Sequence, residues 1–427
     1  MRRPAPLRHR PELAWALYDW ANSAFATVVL AGFFPLFLRD YWAAGQPGAR
    51  ITLALGTANA LASLLIVGLA PALGAIADQG AWKKRFLATG AALGIAATLA
   101  LYCLSAGQWV AALGLFVTAT VGWMAANIFY DALLLDVTAP ARYERVSALG
   151  FALGYLGGGL LFAACVLLTL RPAWFGLADA PAAVRLSFLL TGLWWLAFSL
   201  PLLRHVRERR RHPPRPPWAT ARAGFTQLAR TLRHLRGERA VWWFLLAYWL
   251  YIDGVDTVIR MAVDYGRALG FDSGGLVLAL LLTQFVGFPA ALAFGRLGAA
   301  WGARRGILLG LAAYGGITLW AARMAAAWEF YALAVAVGLV QGGVQALSRS
   351  LYARLIPADK AAEFFGFYNV LGKFAAILGP LLVGWVGLLA GSPRLGILSL
   401  LLLFGGGAWL LWRLPAAQSP SGGSDLR

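Results

Sequence analysis

The stretch PALGAIADQGAWKKR, residues 71–85, has a second, altered copy in PAALAFGRLGAAWGARRG, residues 289–306. In both copies a proline and several small residues end an apolar run, and a basic cluster follows. Another pair, LLLDVTAPARYERVSALGF at 133–151 and LYARLIPADKAAEFFGF at 351–367, repeats at almost the same distance. The aligned prolines are 218 residues apart in the first pair and 217 in the second. An offset that stays this constant over half a chain indicates an internal duplication.

The composition is that of an integral membrane protein. Of the 427 residues, 60% are hydrophobic and 13% are charged, with a mean hydropathy of +0.68, which is more apolar surface than a water-soluble fold can bury. Apolar runs of membrane-spanning length predict twelve helices, at 14–38, 51–77, 86–105, 109–135, 147–170, 185–203, 242–265, 276–295, 307–324, 329–352, 363–390 and 395–412. The first run is too long for a signal peptide, so we expect it to remain as the first helix.

The distribution of basic residues predicts that both termini lie in the cytoplasm. In that orientation the cytoplasmic segments hold 28 of the 37 lysines and arginines, the outer loops hold seven, and Arg260 and Lys373 lie within spans. Cytoplasmic loops of membrane proteins carry such an excess. The net charge of +19 therefore reflects topology and an attraction to anionic lipid of the inner leaflet.

These features divide the chain into an N-terminal six-helix bundle at 1–203, a basic cytoplasmic connector at 204–241, a C-terminal six-helix bundle at 242–412 and a cytoplasmic tail at 413–427. The connector holds eleven arginines. A nucleic-acid-binding arm would also be basic, but spans on both sides favour a segment held near lipid headgroups. Its part GFTQLARTLRHLRGER, residues 224–239, has apolar residues at helical spacing and is expected to lie flat on the membrane surface.

Two six-helix halves joined by a long cytoplasmic loop resemble the major facilitator superfamily. The turn after the second span is similar to the signature of that superfamily, with matching residues Gly74, Asp78, Lys83, Lys84 and Arg85. The second copy keeps Gly295, Gly302, Arg304 and Arg305 and has Ala299 where an acid would stand. The resemblance implies that Asp78 is a latch stabilising one access state, although topology alone also accounts for basic residues at this turn.

A narrower resemblance is to the vacuole-effluxer-like family. It is carried by LAWALYDWANSAFATVV, by FYDALLLDV leading to GFALGYLGGGL, by YIDGVDTV, and by GLVQGGVQALSRSLYARLIP leading to EFFGFYN. The stretch from Gly338 to Asn369 is the most specific of these. Eukaryotic members are described as autophagy-linked exporters of amino acids. This compact chain is similar to prokaryotic members, whose substrates are mostly unassigned, so the resemblance implies a transporter without implying a vacuolar location.

Polar residues within the spans are concentrated in spans 1, 4, 7 and 10, the first helices of the four three-helix units. A charge at the bilayer centre costs about 2.5–3.5 kcal/mol, so we expect these residues to line a water-filled cavity or to pair. The candidates are Asp19, Asn22, Asn127, Tyr130, Asp131, Asp253, Asp256, Arg260, Gln341, Gln345 and Arg349, with Lys373 in the eleventh span.

The roles of these residues stay open between two alternatives. Asp19, near the cytoplasmic end of its span, is either a ligand for solute or proton or a hydrogen-bonding residue of a cytoplasmic gate. The similar depth of Asp131 and Arg349 favours the gate for those two. Asp253 and Asp256 lie near mid-membrane and would repel each other if both were ionised, which suits proton coupling. Their alternative is an ion pair with Arg260 or Lys373.

The sequence therefore predicts a secondary active transporter, not an enzyme. We expect it to export a small polar solute, with an amino acid as the leading candidate and protons as a candidate coupling ion. A flippase for lipids or lipid-linked solutes is the alternative; a membrane-embedded enzyme is disfavoured because no span contains a histidine. No cofactor, metal ion or nucleic acid is expected. We expect a multi-pass monomer in the cell membrane, in contact with lipid.

Overall fold

The computed structural model describes residues 10–233, 239–268, 273–324, 326–374 and 378–415, and every regular element in these ranges is a helix. Ten helical segments of the described chain are long and apolar enough to cross a membrane. The prediction of an all-helical, multi-pass membrane protein is therefore confirmed.

The N-terminal half contains six of these segments. They are α1 Arg10–Trp42, α2 Gly48–Gly80, α3 Lys83–Cys103, α4 Trp109–Val137, α5 Pro140–Leu170 and α6 Ala180–His205. Each overlaps one of the six predicted spans between residues 14 and 203, and each is a few residues longer than its span at one or both ends. The additional turns extend the helices beyond their apolar stretches.

The connector contains one helix, α7 Pro217–Arg233, preceded by a stretch without helical structure at 206–216. Pro213, Pro214 and Pro216 lie at the end of that stretch, where their missing N–H groups and restricted geometry disfavour helix. Pro217 occupies the first position of α7, where proline is well tolerated. The helix packs against α2.

The C-terminal half contains α8 Arg239–Ala268, α9 Ser273–Trp301, α10 Ala303–Arg323, α11 Ala327–Leu355, α12 Ala361–Phe374, α13 Leu378–Leu389 and α14 Arg394–Trp412. The membrane-length segments here belong to α9, α10, α11 and α14. The predicted spans 242–265 and 363–390 fall on α8 and on α12 with α13. The count of twelve spans and the cytoplasmic position of the termini stay predictions.

The two halves meet mainly through two helix pairs, α2 with α12 and α5 with α9; α11 also packs against α5, and α4 against α12. The internal repeat relates these pairs, since α2 corresponds to α9 and α5 to α12. Glycines make the close approach possible: a Cβ atom at Gly366 of α12 would lie 2.9 Å from the carbonyl oxygen of Ala70 in α2. Small residues at such crossings are typical of packed membrane helices.

Candidate functional site

Arg349, in α11, is the centre of a buried cluster between the two halves. Its guanidinium donates hydrogen bonds to Asp131 Oδ1 at 3.1 Å and to Asp19 Oδ2 at 3.3 and 3.4 Å. It also donates to the hydroxyl and carbonyl oxygens of Ser147, both at 2.9 Å. We call Asp19, Tyr130, Asp131, Ser147 and Arg349 the Arg349 cluster. Its other members lie on α1, α4 and α5, so the cluster joins the halves.

Further hydrogen bonds complete the partners of the two carboxylates. Tyr130 donates its hydroxyl to Asp19 Oδ2 at 2.8 Å, and Asn369 of α12 donates to Asp131 Oδ2 at 3.1 Å. Both aspartates are 8% exposed and Arg349 is 2% exposed. Buried charges are tolerated when they are paired and hydrogen-bonded, and the Arg349 cluster meets both conditions.

Aromatic rings surround the guanidinium of Arg349. Its Cζ atom lies 4.3 Å from the ring centroid of Phe151, 4.8 Å from Trp15 and 5.3 Å from Tyr130. Trp15 and Tyr130 stack on each other, and the Trp15 indole N–H donates to the Tyr130 carbonyl oxygen at 2.8 Å. A desolvated guanidinium is attracted to such rings, which adds to its two ionic contacts.

Two more contacts join the halves near this cluster. Arg354, at the end of α11, forms a bidentate ion pair with Glu144 of α5 at 2.7 and 2.8 Å. Ser147 donates its hydroxyl to the Ala346 carbonyl oxygen at 2.8 Å. These contacts lie toward the end of the molecule where the connector packs, which we call the connector end. In this structure the halves are therefore closed against each other at the connector end.

Asp78 makes another contact between the halves at the connector end. Its carboxylate accepts hydrogen bonds from the backbone N–H groups of Ala362 at 3.1 Å and Glu363 at 2.9 Å, in the first turn of α12. A helix N-terminus attracts a carboxylate because its first N–H groups are unpaired and the helix dipole is positive there. Gly74, one turn earlier in α2, lies against the Ala362 backbone and leaves no room for a side chain. This geometry supports the proposed latch.

The basic residues after α2 divide between two environments. Lys83 is buried and lies 3.1 Å from Asp136 and 3.6 Å from Asp78. Arg211 of the connector also pairs with Asp136, at 2.6 Å. Arg85 is exposed, with its Cζ atom 6.0 Å from the Trp82 ring. Lys83 therefore belongs to the charged network around Asp78, whereas Arg85 lies outside it.

Glu208 attaches the connector to the same region. Its carboxylate accepts hydrogen bonds from the backbone N–H groups of Lys83 at 2.9 Å and Lys84 at 3.3 Å, at the start of α3. Burial raises the pKa of the Glu208 carboxyl above its ordinary value. The connector is thus held against the N-terminal half by a cap on α3 as well as by α7.

The second copy of the signature keeps the helix crossing without the acidic latch. Gly295 of α9 lies against Ala148 and the Glu144 backbone of α5, as Gly74 lies against α12. Gly302 has a positive φ of 89° in the turn before α10, a conformation that glycine adopts without strain. Arg304 donates to the Leu414 carbonyl oxygen at 3.0 Å, so this arginine contacts its own half.

Uncharged polar candidates lie further from the connector end. Asn22 of α1 donates to Asn127 of α4 at 2.9 Å, so Asp19 and Asn22 both face α4. Gln341 and Gln345 of α11 are half-buried. The side-chain oxygen of Gln341 is buried and has no hydrogen-bond partner among the residues that the structure describes. These four amides carry no net charge, unlike the paired side chains of the Arg349 cluster.

Asp253 and Asp256 lie in different surroundings. Asp253 is fully buried and accepts hydrogen bonds from the backbone N–H groups of Leu378 at 2.9 Å and Gly379 at 2.8 Å, at the start of α13. Asp256 is half-buried. The side chains of Arg260 and Lys373, their predicted partners, lie outside the described residues. A cap on α13 is thus a structural role for Asp253 that the spacing of the two acids did not indicate.

Several residues of the site were not predicted from the sequence: Trp15, Ser147, Gly150, Phe151 and Asn369. Gly150 lies against the cluster so closely that an added Cβ would be 2.6 Å from Asp19 Oδ2 and 2.8 Å from the Tyr130 hydroxyl. All of these except Ser147 lie within the stretches quoted for the family, but a serine, a glycine, an amide or an aromatic residue in a span carries no charge signal. No cluster of metal-ligating side chains occurs within the described ranges.

Comparison with known proteins identifies the family of this chain. A family model described as "Vacuole effluxer Atg22 like" matches residues 54–140 and 135–421. The chain therefore belongs to the vacuole effluxer Atg22-like family. A relative from Bacillus subtilis (strain 168), described as an uncharacterized MFS-type transporter YxiO, is 38% identical over 412 residues, which are 96% of each chain. Autophagy-related protein 22-1 of Aspergillus niger is 28% identical over 266 residues, 56% of this chain and 42% of the fungal protein.

Solved structures show the fold of this Atg22-like protein. The human organic anion transporter MFSD10 matches with a TM-score of 0.71 and 16% identity, over 95% of this chain and all of that one. The proton:xylose symporter XylE matches with a TM-score of 0.70 and 13% identity, over 95% of each chain. At these identities the likeness shows the major facilitator fold alone. The family and fold are those of transporters, which confirms the predicted family and the expectation that the chain is not an enzyme.

Proposed function

We propose that this Atg22-like protein is a secondary active transporter that exports a small polar solute, an amino acid, by alternating access. The Arg349 cluster carries this proposal. One buried cation of the C-terminal half is held by two carboxylates of the N-terminal half, next to the Asp78 contact at the same end. A rocking motion of the halves would separate these groups and open the connector end.

The charges of the Arg349 cluster support the proposed coupling to protons. When Arg349 withdraws, Asp19 and Asp131 lose the cation that now contacts both of them. Two neighbouring carboxylates that lose a shared cation repel each other, which favours a proton on one of them. A proton would therefore replace the cation on one of them. Asp253 is the weaker candidate because two backbone N–H groups already stabilise its charge.

The amide side chains of the first, fourth and tenth predicted spans support a small polar solute. Asn22, Asn127, Gln341 and Gln345 offer hydrogen-bond donors and acceptors without net charge, which suits a zwitterionic solute. The description of the family as effluxers supports export. We further propose twelve spans with both termini in the cytoplasm, the bundle and connector boundaries given above, and a monomer in the plasma membrane.

Solute flux in proteoliposomes tests the proposal. Purified full-length protein is reconstituted and the movement of labelled amino acids, peptides and sugars is followed with and without a pH gradient. We expect saturable movement of at least one amino acid that the pH gradient accelerates, and its loss in Arg349→Ala. Arg323→Ala, at an exposed position at the end of α10, is the matched control. Movement of labelled lipid without movement of any solute would overturn the proposal in favour of a flippase.

A further inference from the structure

The connector helix α7 has its polar face toward the protein and its apolar face outward. The residues facing the protein are small or polar and buried: Thr220, Gly224, Gln227 and Thr231. The opposite stripe contains Trp218, Phe225 and Leu232, which are 70%, 57% and 48% exposed. A helix that packs on a soluble protein has the reverse arrangement. The outer face of α7 is therefore suited to contact a partner other than water.

The inner face of α7 bridges the two halves beside the latch. Gln227 accepts a hydrogen bond from Gln79 of α2 at 2.6 Å and donates one to the Glu363 carboxylate of α12. Both neighbours adjoin the latch, since Gln79 follows Asp78 and the Glu363 backbone N–H donates to Asp78. Gly224 packs against Ile76 of the same α2 segment. A helix in this position can hold the connector end closed.

The outer face combines its apolar side chains with positive charge. Arg222, Arg230 and Arg233 are exposed there, and α7 contains no acidic residue. Together with Phe225, Thr226 and Ala229 these arginines line a shallow groove of about 570 Å³. Arginines beside exposed aromatic and leucine side chains are typical of helices that lie in the headgroup layer of an anionic membrane.

The position of α7 relative to the membrane agrees with that partner. Leu61, Leu64, Leu65 and Leu69 of α2 are exposed and form a lipid-facing stripe. Ile76, the contact of Gly224, lies seven residues beyond the last of these leucines, a rise of roughly 10 Å along a helix. The outer face of α7 therefore lies at the level where headgroups begin.

We propose that the outer face of α7 binds anionic phospholipid of the cytoplasmic leaflet and thereby keeps Gln227 in its bridge, so that lipid charge stabilises the closed connector end. This regulation rests on the proposed alternating access and the cytoplasmic position of the connector. It assigns α7 a role in controlling the transport cycle beyond joining the two halves.

Spin-label distances across the connector end test this proposal without any substrate. Labels are placed at Ala141→Cys and Ala358→Cys, two exposed residues that correspond in the repeat, with Cys103→Ser and Cys165→Ala in the background. The full chain is studied in nanodiscs of phosphatidylcholine, alone or in an equal mixture with phosphatidylglycerol. We expect phosphatidylglycerol to raise the ratio of the short-distance to the long-distance population at least five-fold, about the effect of one basic residue near an anionic surface.

Two sets of variants separate lipid binding from general charge. The triple substitution Arg222→Gln, Arg230→Gln and Arg233→Gln should abolish the effect of phosphatidylglycerol. The control Arg207→Gln, Arg209→Gln and Arg210→Gln removes the same charge from exposed connector positions outside α7 and should keep it. Equal behaviour of the two sets, or a wild-type ratio insensitive to phosphatidylglycerol, would overturn the proposal. A change of oligomer size in the α7 triple variant alone would instead identify a second copy of the chain as the partner.

Gln227→Ala tests the connection between lipid binding and the gate. A further label at the exposed Ala229→Cys reports contact with lipid through its accessibility to oxygen. In Gln227→Ala we expect that contact with phosphatidylglycerol to persist while the distance ratio no longer responds to it. A response of wild-type size in this variant would exclude Gln227 as the bridge. Failure of the transport proposal appears separately, as absent solute flux with the lipid response intact.

Discussion

Arg349 is suited to its position because a guanidinium can satisfy several acceptors in one plane. It contacts two carboxylates, the Ser147 hydroxyl and the Ser147 carbonyl at once. A lysine ammonium has the same charge but lacks the planar arrangement of donors and the stacking surface. The requirement at this position is therefore for geometry as well as charge.

Arg349→Lys should accordingly impair the protein although charge is conserved. We expect the free energy of unfolding in detergent to fall by about 2–3 kcal/mol, because the compact ammonium cannot keep all the hydrogen bonds that the guanidinium makes to the two buried aspartates and Ser147. Chemical unfolding followed by circular dichroism measures the change, and Arg323→Lys at an exposed position is the control. Equal stability of the two variants would show that charge alone is sufficient.

Gly150 is a residue whose importance lies in the absence of a side chain. A Cβ there would meet Asp19 Oδ2, the Tyr130 hydroxyl and, at 3.0 Å, Arg349 Nη2, and all three atoms are fixed by the cluster. We expect Gly150→Ala to reduce solute flux strongly and to lower stability by about 1–3 kcal/mol through overpacking. In Gly114→Ala of α4 the new methyl group meets nothing within 4 Å, so that control should be neutral or slightly stabilising. Unchanged flux in Gly150→Ala would contradict the compact cluster.

The first residues of α12 and of α13 each donate backbone hydrogen bonds to a buried carboxylate. Asp78 of α2 accepts from the first turn of α12, and Asp253 of α8 accepts from the first residues of α13. Each carboxylate lies where the helix dipole favours negative charge. The difference is that Asp78 belongs to the other half and loses its contact when the halves separate, whereas Asp253 caps a helix of its own half.

Asp253→Asn and Asp256→Asn should therefore differ in their effects. The Asp253 substitution removes a charged acceptor from a buried helix start, so we expect a loss of stability of about 1–2 kcal/mol with proton-dependent flux retained. Asp256→Asn should leave stability within about 0.5 kcal/mol. Thermal unfolding together with flux under a pH gradient distinguishes the two effects. If Asp253→Asn kept full stability but lost proton dependence, Asp253 rather than the Arg349 cluster would be the coupling site.

The sequence predicted the helices better than their contacts. Spans follow from local hydropathy, and Asp19, Asp131 and Arg349 were candidates because charge in a span is costly. Which of them touch depends on the rotation and tilt of packed helices, which packing sets and hydropathy does not. Ser147 accepts hydrogen bonds through its hydroxyl and carbonyl oxygens, and Gly150 matters because it lacks a Cβ. A single sequence contains no pattern that indicates either role. The contact of Asp253 with the backbone of Leu378 and Gly379 depends on how α8 packs against α13.

Across the whole molecule, the repeat gives two similar crossings with different chemistry. Gly74 against the start of α12 and Gly295 against the start of α5 occupy related positions. The first crossing carries the hydrogen bonds from the start of α12 to Asp78, while the second has Ala299 in place of an acid and the Glu144–Arg354 ion pair nearby. The connector end is thus closed by an asymmetric set of contacts, with the Arg349 cluster between the crossings. Separation of the halves would break all of these contacts together.

The Glu144–Arg354 pair should stabilise the closed connector end only modestly, because the pair is partly exposed. Glu144 is 3% and Arg354 34% exposed in their side chains, so solvent screens the pair, and we expect Glu144→Gln to lower the closed-to-open ratio about five-fold, near 1 kcal/mol. The spin-label distance between positions 141 and 358 measures that ratio.

Glu12→Gln is the matched control, because Glu12 pairs with Arg142 at the same 2.7 Å but within one half. It should leave the ratio unchanged. In the double variant Glu144→Gln with Arg354→Gln the two effects should not add, since they remove one interaction. Full additivity would show that the two side chains act independently, and an equal shift in Glu12→Gln would show that the effect is not specific to the contact between the halves.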